Sequence, residues 1–105
     1  MIHIRRLQRR DEQGEWYDDS YAIENSDGKV TFRYNLSWEY LGGRLNYQIQ
    51  QSGLPLEGLE QVFNNPKMRW LPVEPVALDF EQATELLDPQ FHIPRLKKKV
   101  AAPAL

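Results

Sequence analysis

Residues 30–40 carry apolar side chains at every second position: Val30, Phe32, Tyr34, Leu36, Trp38 and Tyr40, with Thr31, Arg33, Asn35, Ser37 and Glu39 between them. Six successive matches to a period of two, in β-branched and aromatic residues, predict a half-buried strand, because alternate side chains of a strand leave on opposite faces. Turn chemistry brackets the run. Asp27-Gly28 and Gly42-Gly43 are pairs that accept positive φ at both positions, as a two-residue hairpin turn requires. Centring the first turn on Asp27-Gly28 sets Ile23 opposite Phe32 and Tyr21 opposite Tyr34. Centring the second on Gly42-Gly43 sets Tyr40 opposite Leu45, Trp38 opposite Tyr47 and Leu36 opposite Ile49. Every pair is apolar, so turn and pattern choose the same register and predict a three-stranded antiparallel meander. Upstream, Ile2 and Ile4 alternate with His3 and Arg5, and Gln13-Gly14 can turn the chain into a strand beginning near Trp16. That adds a fourth strand.

After Ser52-Gly53 the period changes. Leu56, Leu59, Val62 and Phe63 recur at helical spacing behind Pro55, a residue suited to a first turn, and Asn64-Asn65-Pro66 is a stop signal. A second helix is predicted from Asp79, which can cap the amide of Gln82 while the Gln82 side chain reaches back. Phe80, Ala83, Leu86 and Leu87 then form its apolar face. Between the two, residues 68–76 contain Pro72 and Pro75, which forbid a central strand and allow an extended edge. The expected architecture is α+β: an antiparallel meander of three to four strands with two short α-helices packed on one face.

At 105 residues, 41% apolar, the chain has the length of one domain with an ordinary core. Residues 1–94 are read as that domain and residues 95–105 as a basic, flexible tail. There is no cysteine, hence neither disulfide nor thiolate nucleophile, and His3 and His92 cannot alone make a tetrahedral zinc site. No apolar run reaches the length of a membrane span, and no apolar h-region follows the Arg-rich start, so a cytoplasmic protein without a membrane partner is expected.

The net charge of −2 hides a segregation of sign. Arg5, Arg6, Arg9 and Arg10 lie in the first ten residues, and Arg95, Lys97, Lys98 and Lys99 near the end. Between them fifteen acids face five bases, a net of −10. Two basic segments that met in space would neutralise phosphates, but an acidic body repels them, and no nucleic-acid-binding motif accompanies the basic runs.

Catalytic chemistry finds little support. The densest acidic cluster, Asp11, Glu12, Glu15, Asp18 and Asp19 around Trp16-Tyr17, has the ingredients of a glycosidase site. Adjacent Asp18 and Asp19 on a strand would point to opposite faces, however, and the spacing fails the Ca²⁺-loop pattern. A solvated acidic loop is the expectation. Gly42-Gly43 is surrounded by no phosphate-binding motif, there is no nucleophilic-serine motif, and neither a metal nor a cofactor is implied. Arg33, Asn35, Ser37, Arg44, Asn46, Gln48 and Gln50 would share the second face of the meander, a polar row suited to hydrogen-bonded recognition. The strand expected over residues 44–51 would be an edge open to β-augmentation or to a homodimer.

The resulting expectation is a small non-enzymatic binding protein that recognises a protein partner through its sheet face or edge. Trp16, Tyr17, Arg33, Arg44, Arg69 and Trp70 are the contact candidates, since tryptophan, tyrosine and arginine dominate binding hot spots. The alternative is nucleic-acid binding by Arg5, Arg6, Arg9, Arg10, Arg95, Lys97, Lys98 and Lys99.

Overall fold

A computed structural model describes residues 1–91. Strands β1 (Ile2–Arg10), β2 (Trp16–Glu24) and β3 (Val30–Arg33) come first. A 3-10 turn (Leu36–Trp38) then runs directly into helix α1 (Glu39–Ser52). A 3-10 helix (Leu56–Gln61), strands β4 (Met68–Trp70) and β5 (Glu74–Val76) and helix α2 (Phe80–Phe91) complete the order. The tail cations Arg95, Lys97, Lys98 and Lys99, together with His92, lie outside the described residues.

The sheet is antiparallel throughout, in the order β3-β2-β1-β4, with β5 also paired to β1. An antiparallel α+β fold is therefore what forms. The three N-terminal strands expected up to Phe32 are present, and residues 68–76 do lie as an edge: β4 pairs with Leu7 to Arg9 and β5 with Ile2 to Ile4. Helix α2 opens on the reciprocal cap read from the sequence, Gln82 N donating to Asp79 Oδ1 (2.8 Å) and Asp79 N to Gln82 Oε1 (3.1 Å).

Both hairpins use the same loop, and in the second it shifts the register by one residue from the expected one. In the first, Asp11 Oδ1 accepts from Gln13 N and Glu15 N, and Gly14 N donates to Asp11 O. In the second, Asn25 plays the part of Asp11: its Oδ1 accepts from Asp27 N and Lys29 N, and Gly28 N donates to its carbonyl. Each loop is a turn of the ordinary hand followed by a glycine at φ +86° (Gly14) or +83° (Gly28), which holds three residues where a two-residue turn holds two. Ala22 consequently faces Phe32, and Ile23 faces Thr31.

The expected register assumed a sheet with one wet face, whereas this sheet is buried on both. Ile2, Ile4, Tyr21 and Ile23 pack on one side with Ala83 of α2, joined by Val76, Leu78, Phe80 and Leu87. Leu7, Ala22, Val30 and Phe32 pack on the other with Trp38, Leu45 and Ile49, and with Leu56 and Leu59 of the second 3-10 helix. The helices thus cover both faces rather than one. The first of the two expected α-helices is reduced to the 3-10 helix Leu56–Gln61, and α1 is an element the sequence pattern did not announce.

Helix α1 replaces the second half of the meander. Strand β3 stops at Arg33, and Asn35 caps the following turn by accepting from Ser37 N at 3.0 Å. Trp38, Gly42, Leu45 and Ile49 then face inward at spacings of four, three and four, a helical repeat. Gly42-Gly43 is no turn. A Cβ on Gly42 would lie 2.3 Å from the ring of Tyr34, which packs across the helix and stacks on Phe32 (centroids 5.9 Å apart). The Arg44-to-Gln50 row is helical, so neither the expected polar sheet face nor an edge strand over residues 44–51 exists. Of the two edges, β3 is covered by α1, where Asn46 Oδ1 accepts from Phe32 N at 2.8 Å.

Arg5 ties the layers together. It is 7% exposed in the middle of β1; Nε donates to Leu71 O (2.7 Å), Nη1 to Leu56 O (2.8 Å) and to Glu60 Oε1 (2.8 Å), and Nη2 to Glu60 Oε2. Hydrogen bonding to the guanidinium holds the Glu60 carboxyl below the usual carboxylate range.

The two helix glycines are expected to respond oppositely to alanine. Gly42→Ala must displace the Tyr34 ring and should cost about 1–3 kcal/mol, whereas Gly43→Ala, whose new Cβ meets only Tyr34 Oη at 3.5 Å, should stabilise by up to about 1 kcal/mol. Urea unfolding of the two variants measures both signs.

Candidate functional site

Where the C-terminal end of β1 meets α1 and the segment leading into β4, a groove of about 560 Å³ opens. Its floor is apolar: Trp38 and Leu45 from the α1 side, Phe63 and Met68 from the other. Trp38 and Phe63 meet edge to face at 6.4 Å, and Trp38, only 8% exposed, has the Arg9 guanidinium over its ring, 4.8 Å from the centroid. Leu41, 63% exposed, forms a lip.

The rim is cationic. Arg9 and Arg10 come from β1, Lys67 from the turn before β4 and Arg44 from α1, so positive charge stands on both walls. Among the described residues no carboxylate lines the groove. Arg10, Arg44 and Lys67 are exposed and have no carboxylate within ion-pair distance among the described residues.

Arg9 is the exception, with its Nε 3.5 Å from Asp19 Oδ1. Asp19 is the extra residue of a bulge, since Leu7 pairs with Ser20 and Gln8 with Asp18. The bulge turns this one acid of the expected solvated loop inward, to 4% exposure, while Asp11, Glu12, Glu15 and Asp18 stay exposed. Burial pushes the Asp19 carboxyl above its ordinary value of 3.8; the Arg9 charge and a long contact from Asn35 Nδ2 (3.4 Å) only partly offset this.

Beyond the lip, α1 presents Tyr40 (73% exposed) and Tyr47 (66% exposed) with Arg44 between them, its guanidinium 5.7 Å from the Tyr40 ring centroid. A second concavity, lined by Gly43, Arg44, Tyr47 and Gln48, adjoins the groove through the shared Arg44 and Gln48. A third, at the opposite end, shares Arg10 and Lys67 and includes Asp11, Glu12 and Pro66.

The residues singled out from sequence are dispersed. Arg44 lies on the groove, and Arg69 stacks on Trp16 (4.2 Å to the ring centroid). Arg69 also donates from Nε to Gln8 Oε1 at 2.9 Å. Tyr17 is exposed opposite Arg9, Arg33 lies on the edge strand, and Trp70 is half-buried, its Nε1 donating to Phe63 O (3.0 Å). Of the N-terminal arginines, Arg5 is internal and unavailable to a phosphate, and Arg6 is engaged by Asp18 and Glu74. Arg9 and Arg10 reach the groove. Tyr40, Leu41, Tyr47 and Lys67 were not candidates, and only a helical reading of residues 38–49 would have gathered the first three on one surface.

No cluster of three or more metal-ligating side chains occurs among the described residues, and none of their helices is long and apolar enough to cross a membrane. Compared with protein-family models, curated proteins and solved structures, the chain matches none.

Replacing Asp19 tests the buried pair behind the groove. A carboxyl whose folded value is raised contributes stability below its unfolded value and loses it as pH rises through the folded value. Asp19→Asn is therefore expected to stabilise the fold at pH 7, with the gain vanishing as pH falls below the ordinary carboxyl value of 3.8. Urea unfolding at a series of pH values measures the difference.

Proposed function

We propose that the protein is a small non-enzymatic binding module that recognises a protein partner through the cation-rimmed groove and the outer face of α1. One observation carries the reading: a well-packed domain leaves Tyr40, Leu41 and Tyr47 in solvent on one helix, around Arg44 and beside an apolar-floored groove. Large apolar side chains left exposed together mark interaction surfaces, and tyrosine and arginine are the side chains that anchor them. The recognition surface moves accordingly from the sheet face and edge to a helix and the groove beneath it. The cytoplasmic location expected from the sequence belongs to the same proposal.

Nucleic-acid binding is the competing reading, supported by Arg9 and Arg10 of the N-terminal basic run standing with Arg44 and Lys67 around one groove. Against it, one face of Trp38 is already taken by Arg9, and Asp11 and Glu12 stand at one end of the groove. A phosphate needs an acid-free path, and the exposed rings that could stack a base, Tyr40 and Tyr47, lie outside the groove rather than on its floor.

Affinity capture with tagged protein separates the two. Leu41→Asp at the lip is expected to reduce partner recovery at least about tenfold, while Lys29→Glu in the β2–β3 loop leaves it unchanged. Recovery untouched by Leu41→Asp contradicts the reading, as does recovery abolished by nuclease.

A further inference from the structure

We infer that the occupant of the groove is an acidic peptide segment of the partner, with one bulky apolar side chain seated on Trp38, Phe63 and Met68 between flanking carboxylates. The inference rests on the protein-binding reading above and names the chemistry of the partner.

Charge complementarity carries it. Three cations, Arg10, Arg44 and Lys67, stand on both walls of a groove that no carboxylate lines among the described residues, and Arg9 is only partly neutralised by Asp19. Unpaired cations of one sign placed over apolar walls attract anionic groups and raise their local concentration. The floor asks for something else. Its phenyl ring, thioether and isobutyl group, and the apolar body of its indole, reward an apolar side chain, with the indole N–H the one hydrogen-bonding group of these four side chains. A ligand that satisfies floor and rim together is apolar at one point and anionic on either side of it.

Length distinguishes a peptide from a small amphiphile. The groove adjoins the concavity under Tyr47 through the shared Arg44 and Gln48, while the concavity at its other end, which shares Arg10 and Lys67, carries Asp11 and Glu12 and turns a carboxylate away, so the segment runs from the groove toward Tyr47. Such a run of linked concavities is longer than one apolar group with its counter-charge needs. The basic segment Arg95, Lys97, Lys98 and Lys99 of this chain carries the wrong sign for the rim. A second copy of the chain could offer the acidic hairpin from Asp11 to Glu15, but on the same molecule those acids adjoin Arg10 and Lys67, already at one end of the groove. The structure favours a separate acidic segment.

The test is isothermal titration calorimetry of the full chain at 50 mM NaCl with the blocked peptide Glu-Glu-Phe-Glu-Glu, run beside Lys-Lys-Phe-Lys-Lys, Glu-Glu-Ala-Glu-Glu and a twelve-residue oligodeoxythymidine. Micromolar binding of the first is expected, weakened at least about tenfold by its Phe-to-Ala change and by the double variant Arg44→Glu, Lys67→Glu. Both substitutions are at exposed positions, and circular dichroism confirms that the double variant is folded. Equal affinity for the lysine peptide, tighter binding of the oligonucleotide, or no heat with any peptide at 200 μM protein overturns the inference. So does a dimer in sedimentation equilibrium that the double variant dissolves, since the groove then holds a second copy. The two levels of the account fail separately. Partner capture lost in Leu41→Asp but insensitive to the charge reversal removes the acidic segment and keeps the protein-binding surface; capture insensitive to both removes the surface itself.

Discussion

A guanidinium at the centre of the sheet organises this fold. Arg5 stands where β1 lies between its neighbours, and its donors reach the carbonyls of Leu56 and Leu71 and both carboxylate oxygens of Glu60. Those acceptors belong to the second 3-10 helix and to the link between β4 and β5, two segments far apart in sequence from β1. Burying a cation is costly unless its donors are met, so the position of Arg5 dictates that both segments close on it. An arginine does this where a lysine would not, because its planar fork serves four acceptor atoms at once and an ammonium has only three N–H donors.

From that tether follows the geometry of the site. Closing residues 56–73 over the sheet brings Phe63 against Trp38 and Met68 beside it, while α1 supplies Trp38, Leu41 and Leu45 from the other wall. The space left between is the groove. Strand β1 alternates its arginines between tasks: Arg5 is internal, Arg6 joins a surface network with Asp18 and Glu74, and Arg9 reaches the groove. The bulge at Asp19 sets a carboxylate behind Arg9 and so fixes that guanidinium over the Trp38 ring rather than letting it extend into solvent.

What could be read from sequence was what local chemistry decides. The alternation at Ile2 and Ile4, the strand from Trp16, the cap between Asp79 and Gln82 and the proline-marked edge over residues 68–76 all rest on contacts within a few residues. The run over residues 30–40 was legible only as far as Arg33, because its later apolar residues belong to another period: Trp38 turns inward at the end of a 3-10 turn, and the helical repeat Trp38, Gly42, Leu45, Ile49 contains a glycine that carries no hydrophobic signal. That glycine looks like turn chemistry until the ring of Tyr34 is placed on it, and its placement is a tertiary fact. The hairpin register failed for a smaller reason: Asp27-Gly28 resembles a two-residue turn, but the Asn25 side chain, bonded to two amides, selects the longer loop. The groove was least legible, since Arg9, Arg44 and Lys67 come from segments that only the folded chain assembles, and Arg5, counted with them by sequence, has its partner Glu60 fifty-five residues away.

The central claim is that one basic run is divided between architecture and recognition. It is tested most directly by arginine Nε–Hε correlation spectra of the whole chain, recorded before and after addition of the acidic peptide. The account has the Arg5 resonance protected from solvent exchange and unmoved by peptide, while Arg9, Arg10 and Arg44 shift together. An Arg5 proton that exchanges freely, or shifts confined to Arg6, Arg33 and Arg69, would contradict it.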